Sequence, residues 1–166
     1  MHDREVRMPQ RGCIVRILTV RQPWAYAIIH GGKDVENRTT NIAGAYRGAV
    51  AIHAGAREDT SARQHPEIIR LAADRWWADP ASLLTGRRDQ FGHIIGVVDI
   101  VDVHSTIDCW GFDGQGERWC SVWAQHGMHH LVLANPRPLS EPIPYRGALG
   151  LRRLDEATIS RIEAQL

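Results

Sequence analysis

Lysine is almost missing from this chain. Of its twenty basic residues nineteen are arginine, and the single lysine is Lys33. Cysteine is scarce as well. Cys13, Cys109 and Cys120 are odd in number and unrelated in spacing, which is no disulfide framework and agrees with a reducing compartment. No apolar run approaches the ~20 residues needed to cross a bilayer. The polar, basic residues 1–12 lead into a stretch broken by Arg16 and Arg21, which does not read as a secretion signal. A cytoplasmic protein with no membrane partner is therefore expected. A charge excess is also lacking: the formal net charge is +1, which excludes coating of a phosphate backbone by basic excess alone. Any nucleic-acid binding must use a local patch or a pocket.

What is present suffices for one domain. Among the 166 residues, 43% are hydrophobic and 23% charged, enough for an ordinary core. We expect a short N-terminal extension over residues 1–12, a domain over 13–154, and a C-terminal helix over 155–166 capped by Asp155. Cys13 to Val20 is β-rich and reads as the first strand. Pro23 and Trp24 open a short helix with Trp24, Ala27 and Ile28 on one face, and Gly31-Gly32 stop it. Gly48 to Ala54 and Ile94 to Val103 read as buried strands. A helix is expected from about Thr60 to Asp79, followed by a polar connector over 81–90. His104 to Gly116, with Trp110 and Phe112, reads as a loop or lid. The strand begun by Leu131-Val132-Leu133 is expected to break at Asn135-Pro136, and Pro138, Pro142 and Pro144 mark an extended edge. Short strands with helices between them, rather than regular βαβ alternation, point to an α+β fold built on a small mixed barrel.

The chemistry gathers in Gly31-Gly32-Lys33-Asp34-Val35-Glu36-Asn37-Arg38. In an extended segment Glu36 and Arg38 share a face. Lysine differs from arginine in that its amine can lose a proton and act as nucleophile or base. An amine, a carboxylate and a guanidinium can orient and hydrolyse an amide or phosphodiester. They can equally hold a phosphate and read a base edge, or form a solvated turn with a local salt bridge. Trp24, beside this loop, can stack on a base or fill the core. His53 sits in an apolar strand, where a hydrogen-bonded core histidine is the commoner outcome. Asp99 and Asp102 are placed on opposite faces of their strand, with Asp99 the candidate partner for Lys33. Asn135 and Arg137 are candidates to reach the cleft from the late strand. Cys109, Cys120, His126, His129 and His130 invite a zinc reading, but C-x10-C-x5-H-x2-H lacks the close ligand pair of a compact finger. No metal and no cofactor are assigned.

The sequence resembles the ASCH domains of the PUA-like superfamily. The likeness rests on Gly31-x-Lys33-x-x-Glu36-x-Arg38, placed directly after a helix beginning Arg21-Gln22-Pro23-Trp24. Tyr46-Arg47-Gly48 with Ile52-His53-Ala54, then Leu133 to Leu139, then Tyr145-Arg146-Gly147-x-Leu149-Gly150-Leu151, support it over roughly Ile14 to Leu154. The resemblance implies a PUA-like barrel of five or six strands flanked by helices, with a cleft over the signature loop that binds RNA or a nucleotide. It implies ligand contacts from Lys33, Glu36 and Arg38, to which Trp24, Asn135 and Arg137 are added as candidates from their own positions. In enzymatic relatives it implies a hydrolase, either an amidohydrolase on N4-acylated cytidine or a metal-independent ribonuclease, with Lys33 as nucleophile or base and Glu36 beside it. The amidohydrolase-like relatives tend to carry a hydroxyl residue where this chain has Glu36, a departure that counts against the amidohydrolase assignment.

Overall fold

Alternation of neighbouring side chains across a strand organises the molecule. A computed structural model describes residues 16–74, 90–109, 111–112 and 117–166. The expected N-terminal extension, the first residues of the first strand, the end of the helix proposed to Asp79, most of the connector, and Trp110 lie outside these residues. In order come β1 (Arg16–Gln22), α1 (Trp24–His30), β2 (Val35–Arg38), β3 (Gly48–Glu58), a 3-10 turn (Thr60–Gln64) and α2 (Pro66–Asp74). They are followed by β4 (His93–Ser105), α3 (Thr106–Cys109), β5 (Gly111–Phe112), β6 (Glu117–Arg118), β7 (His129–Pro144), β8 (Leu151–Arg153) and α4 (Glu156–Glu163).

Six strands pair in the order β2-β7-β4-β3-β1-β8, and β5 pairs with β6 in a separate two-stranded ribbon. β1 and β3 run parallel, and the other pairings are antiparallel. On β1, Ile17 and Leu18 point into different clusters. Leu18 joins Ile28 and Ile29 of α1, together with Val50, Ile52 and Val98. Ile17 joins Ile159 and Ile162 of α4, together with Ala51, Val97 and Ile143. Helices therefore cover both faces of the sheet, which is why β3 and the first half of β4 read as continuous apolar runs. The Asp155 carboxylate accepts from the Thr158 N–H at 2.8 Å and starts α4 as expected.

Four expectations are corrected. Among the described residues the mixed sheet, flanked by four helices, does not close into a barrel, and β2 and β8 are its edges. What joins β2 to β1 is a side chain, the Arg38 guanidinium donating to the Thr19 carbonyl at 2.8 Å. The helix expected over 60–79 is interrupted after Gln64, because Pro66 cannot continue the 3-10 turn but suits the first turn of a new helix. β7 does not break at Asn135-Pro136. Asn135 takes a positive φ of 52°, the register against β4 shifts there, and pairing resumes at Arg137 opposite Val97. The strand is bulged rather than broken. The expected loop after His104 contains α3 and the β5–β6 ribbon.

Candidate functional site

Two glycines deliver the lysine. The N–H groups of Gly31 and Lys33 both donate to the Ala27 carbonyl, at 2.9 and 3.0 Å, and close the end of α1. A Cβ on Gly31 would lie 2.6 Å from Leu71 Cδ1, so α2 approaches as closely as a bare backbone permits. Gly32 turns the chain at φ 71°, a conformation L side chains rarely adopt. The chain then enters β2 with Lys33 directed inward, only 4% exposed.

The lysine amine donates to the Val35 carbonyl and lies 3.5 Å from Glu36 Oε2. The other carboxylate oxygen, Oε1, is 3.0 Å from Arg38 Nη2. Glu36 and Arg38 thus share a face, as β alternation requires, and two cations divide one buried carboxylate. Aromatic faces complete the surroundings of the amine, with the ring centres of Trp24 and Trp123 at 5.5 and 5.7 Å from Nζ. Burial holds the Lys33 pKa below its usual value; Glu36 and Asp34 oppose that shift, and Arg38 adds to it.

Trp24 and Trp123 are locked to their neighbours. The Trp24 indole N–H donates to Asp59 Oδ2 at 2.9 Å, and the same Asp59 caps the 3-10 turn by accepting from Ser61. His65 stacks on Trp123 with ring centroids 5.4 Å apart and planes 4° from parallel. Burial, and then the nearby Lys33 charge, push the His65 pKa down.

Opposite this wall stands His53. Its Nε2–H donates to the Tyr145 carbonyl at 2.9 Å, and burial pushes its pKa down despite that contact. Gly147 lies directly against the ring, where a Cβ would stand 2.6 Å from His53 Cε1 and 3.0 Å from Thr19 Oγ1. Between these walls opens a cleft of about 960 Å³, lined among others by Thr19, Trp24, Lys33, Glu36, Arg38 and His53, with Arg21 and Arg146 also on its surface. That volume lies at the upper end of the ~300–1,000 Å³ typical of small-molecule sites. Arg38 Nε and His53 Nδ1 are buried polar atoms with no hydrogen-bond partner.

Comparison with known proteins agrees with this architecture. A family model described as ASCH domain matches residues 18–143, which takes in the signature loop and most of the cleft. The chain belongs to the ASCH domain family. Solved structures of ZmASCH from Zymomonas mobilis are similar to it. A tyrosine-to-phenylalanine variant shows a TM-score of 0.50 and 14% identity, with 90% of this chain and 96% of that chain covered. A serine-to-alanine variant shows 0.47 and 14%, with 90% and 94% covered. At such identity the likeness of the first concerns the fold.

Within the ASCH domain, Trp24, Lys33, Glu36 and Arg38 come together at one cleft, and His53 joins them. Asn135 and Arg137 do not line it. Asn135 Nδ2 donates to Asp99 Oδ2 at 2.9 Å and Arg137 Nη2 to Asp99 Oδ1 at 2.5 Å, so all three are occupied with one another at the β7 bulge. Asp99 is accordingly not the partner of Lys33; Glu36 is. Asp102 pairs with His104 at 2.9 Å and with Arg47 at 3.7 Å. Trp123, His65 and Asp59 were not picked out from the sequence. Asp59-Thr60-Ser61 carries a visible capping signal, whereas nothing local marks Trp123 or His65 as neighbours of Lys33.

Proposed function

We propose that this ASCH domain protein binds RNA or a modified nucleoside or nucleotide in the cytoplasm, with the ligand seated in the cleft over Lys33, Glu36 and Arg38. The observation that carries this reading is charge sharing at the cleft floor: two cations divide a single buried carboxylate. The excess positive charge, reinforced by the exposed Arg21 and Arg146, favours a phosphate-bearing ligand despite a nearly neutral chain. A donor without partner (Arg38 Nε) and an acceptor without partner (His53 Nδ1) flank Thr19. They complement the mixed donor–acceptor edge of an unpaired base.

Titration of labelled single-stranded RNA and a panel of nucleosides and nucleotides, over a range of salt, tests this. Neutralising one arginine that meets a phosphate should flatten the log–log salt slope by about 0.7 for a single strand, so Arg21→Gln with Arg146→Gln should flatten it by roughly 1.4. A folded protein that binds neither RNA nor any of these small ligands at low salt refutes the reading.

One observation favours a hydrolase instead, acting on N4-acylated cytidine or on RNA without a metal. Burial lowers the Lys33 pKa, which is the way an amine is prepared as nucleophile or base. Against it, the amine is spent on Val35 and Glu36. Turnover that disappears in Lys33→Arg while binding persists supports the hydrolase. Binding with no turnover in the wild type removes it.

A further inference from the structure

Away from the signature loop, four metal-binding side chains from separate elements converge. They are His104 near the end of β4, Cys109 at the end of α3, Cys120 just past β6, and His130 on β7. One ligand atom of each lies within 4.8 Å of all the others. A tetrahedral zinc ion with bonds near 2.3 Å to sulfur and 2.0–2.1 Å to nitrogen requires its ligands to stand roughly 3.3–3.8 Å apart. Cys120 Sγ and His130 Nδ1 are 3.5 Å apart. The other separations, none above 4.8 Å, would contract by at most about 1.5 Å on binding.

The orientation of the two imidazoles is more telling than proximity. His130 is fully buried, and its Nε2 is 2.9 Å from the Gln125 carbonyl. A carbonyl only accepts, so the proton resides on Nε2 and the Nδ1 lone pair faces Cys120. His104 Nδ1 is 2.9 Å from the Asp102 carboxylate, which draws the proton to Nδ1. Its Nε2 is left buried with no hydrogen-bond partner. One carboxylate and one backbone carbonyl thus fix the two tautomers with lone pairs available to the cluster, as outer partners do for metal-binding histidines. A Cys109–Cys120 disulfide would leave both arrangements without a purpose.

We propose that His104, Cys109, Cys120 and His130 form a closed, tetrahedral zinc site of structural type. Two thiolates and two neutral imidazoles suit Zn²⁺ better than the oxygen-preferring divalent cations. On binding, each thiol releases its proton to solvent, and the two thiolates neutralise the ion. The spacing H-x4-C-x10-C-x9-H contains no close pair. Three of its ligands, Cys109, Cys120 and His130, belong to the set passed over in the sequence for want of a close ligand pair; His104 takes the place of His126 and His129.

The site would staple the segment from Cys120 to His130, which carries one wall of the cleft. The Gln125 N–H donates to Asn37 Oδ1 at 2.9 Å, and Asn37 Nδ2 donates to the Trp123 carbonyl at 2.8 Å. Ser121 Oγ donates to Asp34. Zinc would thereby hold Trp123 over Lys33 from a distance, and this holds whatever the cleft binds.

Elemental analysis of the full chain, purified under reducing conditions and dialysed against zinc and then buffer, should find about one zinc per chain. Titrating the thiols with an organomercurial should release that zinc to a chromogenic chelator in step with the modification. Cobalt(II) in place of zinc should give the visible bands of a tetrahedral thiolate centre. Cys109→Ser with Cys120→Ser should abolish retention, and a chelator should lower the thermal midpoint of the wild type but not of the variant. Should the variant fail to fold, the wild-type stoichiometry and coupled release still decide. A folded wild type that retains less than about a tenth of an equivalent overturns the proposal. So do zinc retained by the double variant and a Cys109–Cys120 disulfide that forms with zinc present.

Discussion

Replacing Glu36 by Gln removes the one carboxylate that Lys33 and Arg38 share. At 3.5 Å the Lys33–Glu36 attraction is roughly 5 kcal/mol for an effective dielectric of about 20. Removing one partner of a buried pair is measured at about 3–5 kcal/mol, so Glu36→Gln should destabilise by about that much near neutral pH. Arg38 keeps its bond to the Thr19 carbonyl, whereas Lys33 keeps the Val35 carbonyl, two indole faces and the weaker attraction of Asp34. The deficit should therefore depend on pH. Burial already holds the Lys33 pKa below its usual 10.5, and without Glu36 it falls further. Between the folded pKa and 10.5 the unfolded chain carries the extra proton, so stability rises with pH across that window. The window opens at lower pH in the variant than in the wild type. Urea unfolding followed by tryptophan fluorescence should show the deficit shrinking from about pH 7 to about pH 10, as Lys33 sheds its proton. Arg38 stays charged throughout, so its share of the loss remains constant. Lys33→Met combined with Glu36→Gln should recover part of the loss, with a coupling of about 1–3 kcal/mol. A deficit of equal size at both pH values, or no recovery in the double variant, refutes the assignment of Lys33 as a buried cation held by Glu36.

Other variants probe the cleft walls and the sheet behind them. Gly147→Ala forces a methyl group against the His53 ring; it should cost about 1–3 kcal/mol in thermal unfolding and weaken ligand binding, and an unchanged midpoint with unchanged affinity contradicts the close approach. Asp59→Asn should weaken the Trp24 contact and the cap together, at a cost of about 1 kcal/mol. Although burial opposes it, bonds from Ser61 and Trp24 hold the Asp59 pKa below its usual value. Its contribution is therefore full above the ordinary carboxylate range and is lost as pH falls through the folded value, so the wild-type and Asp59→Asn unfolding curves should converge in acid. Asp99→Ala leaves Arg137 and Asn135 unpaired at the bulge and should cost about 1–3 kcal/mol with RNA affinity unchanged; a loss of affinity would place that cluster in the binding surface after all.

Much of the site was legible because it is local. Gly31, Gly32, Lys33, Glu36 and Arg38 span eight residues, so helix termination and strand alternation alone place the glycines at the turn and the two charged groups on one face. The strands of the core were legible for the same reason, since Ile17 and Leu18 face opposite clusters simply by being neighbours in an extended chain. Where the expectations failed, a longer-range contact won. Asn135 and Arg137 carry suitable chemistry, but the bulge in β7 sets them beside Asp99, and no local pattern reveals which of two facing strands will supply a carboxylate. The barrel inferred from short strands stays open among the described residues: β2 and β8 are left as edges, and β2 reaches β1 only through the Arg38 side chain.

Several short motifs in the right order along the chain were enough to identify the family and its signature loop, and strand alternation was enough to put Glu36 and Arg38 on one face. What surrounds the solitary lysine was settled by the folded chain alone. Trp123, ninety residues away, reaches Lys33 because Asn37 and Asp34 bind its segment to β2. His104, Cys109, Cys120 and His130 meet because β4 and β7 pair antiparallel. One cause is common to both: side-chain chemistry is written residue by residue, but the distances that turn it into a site are set by which strands pair and in which register.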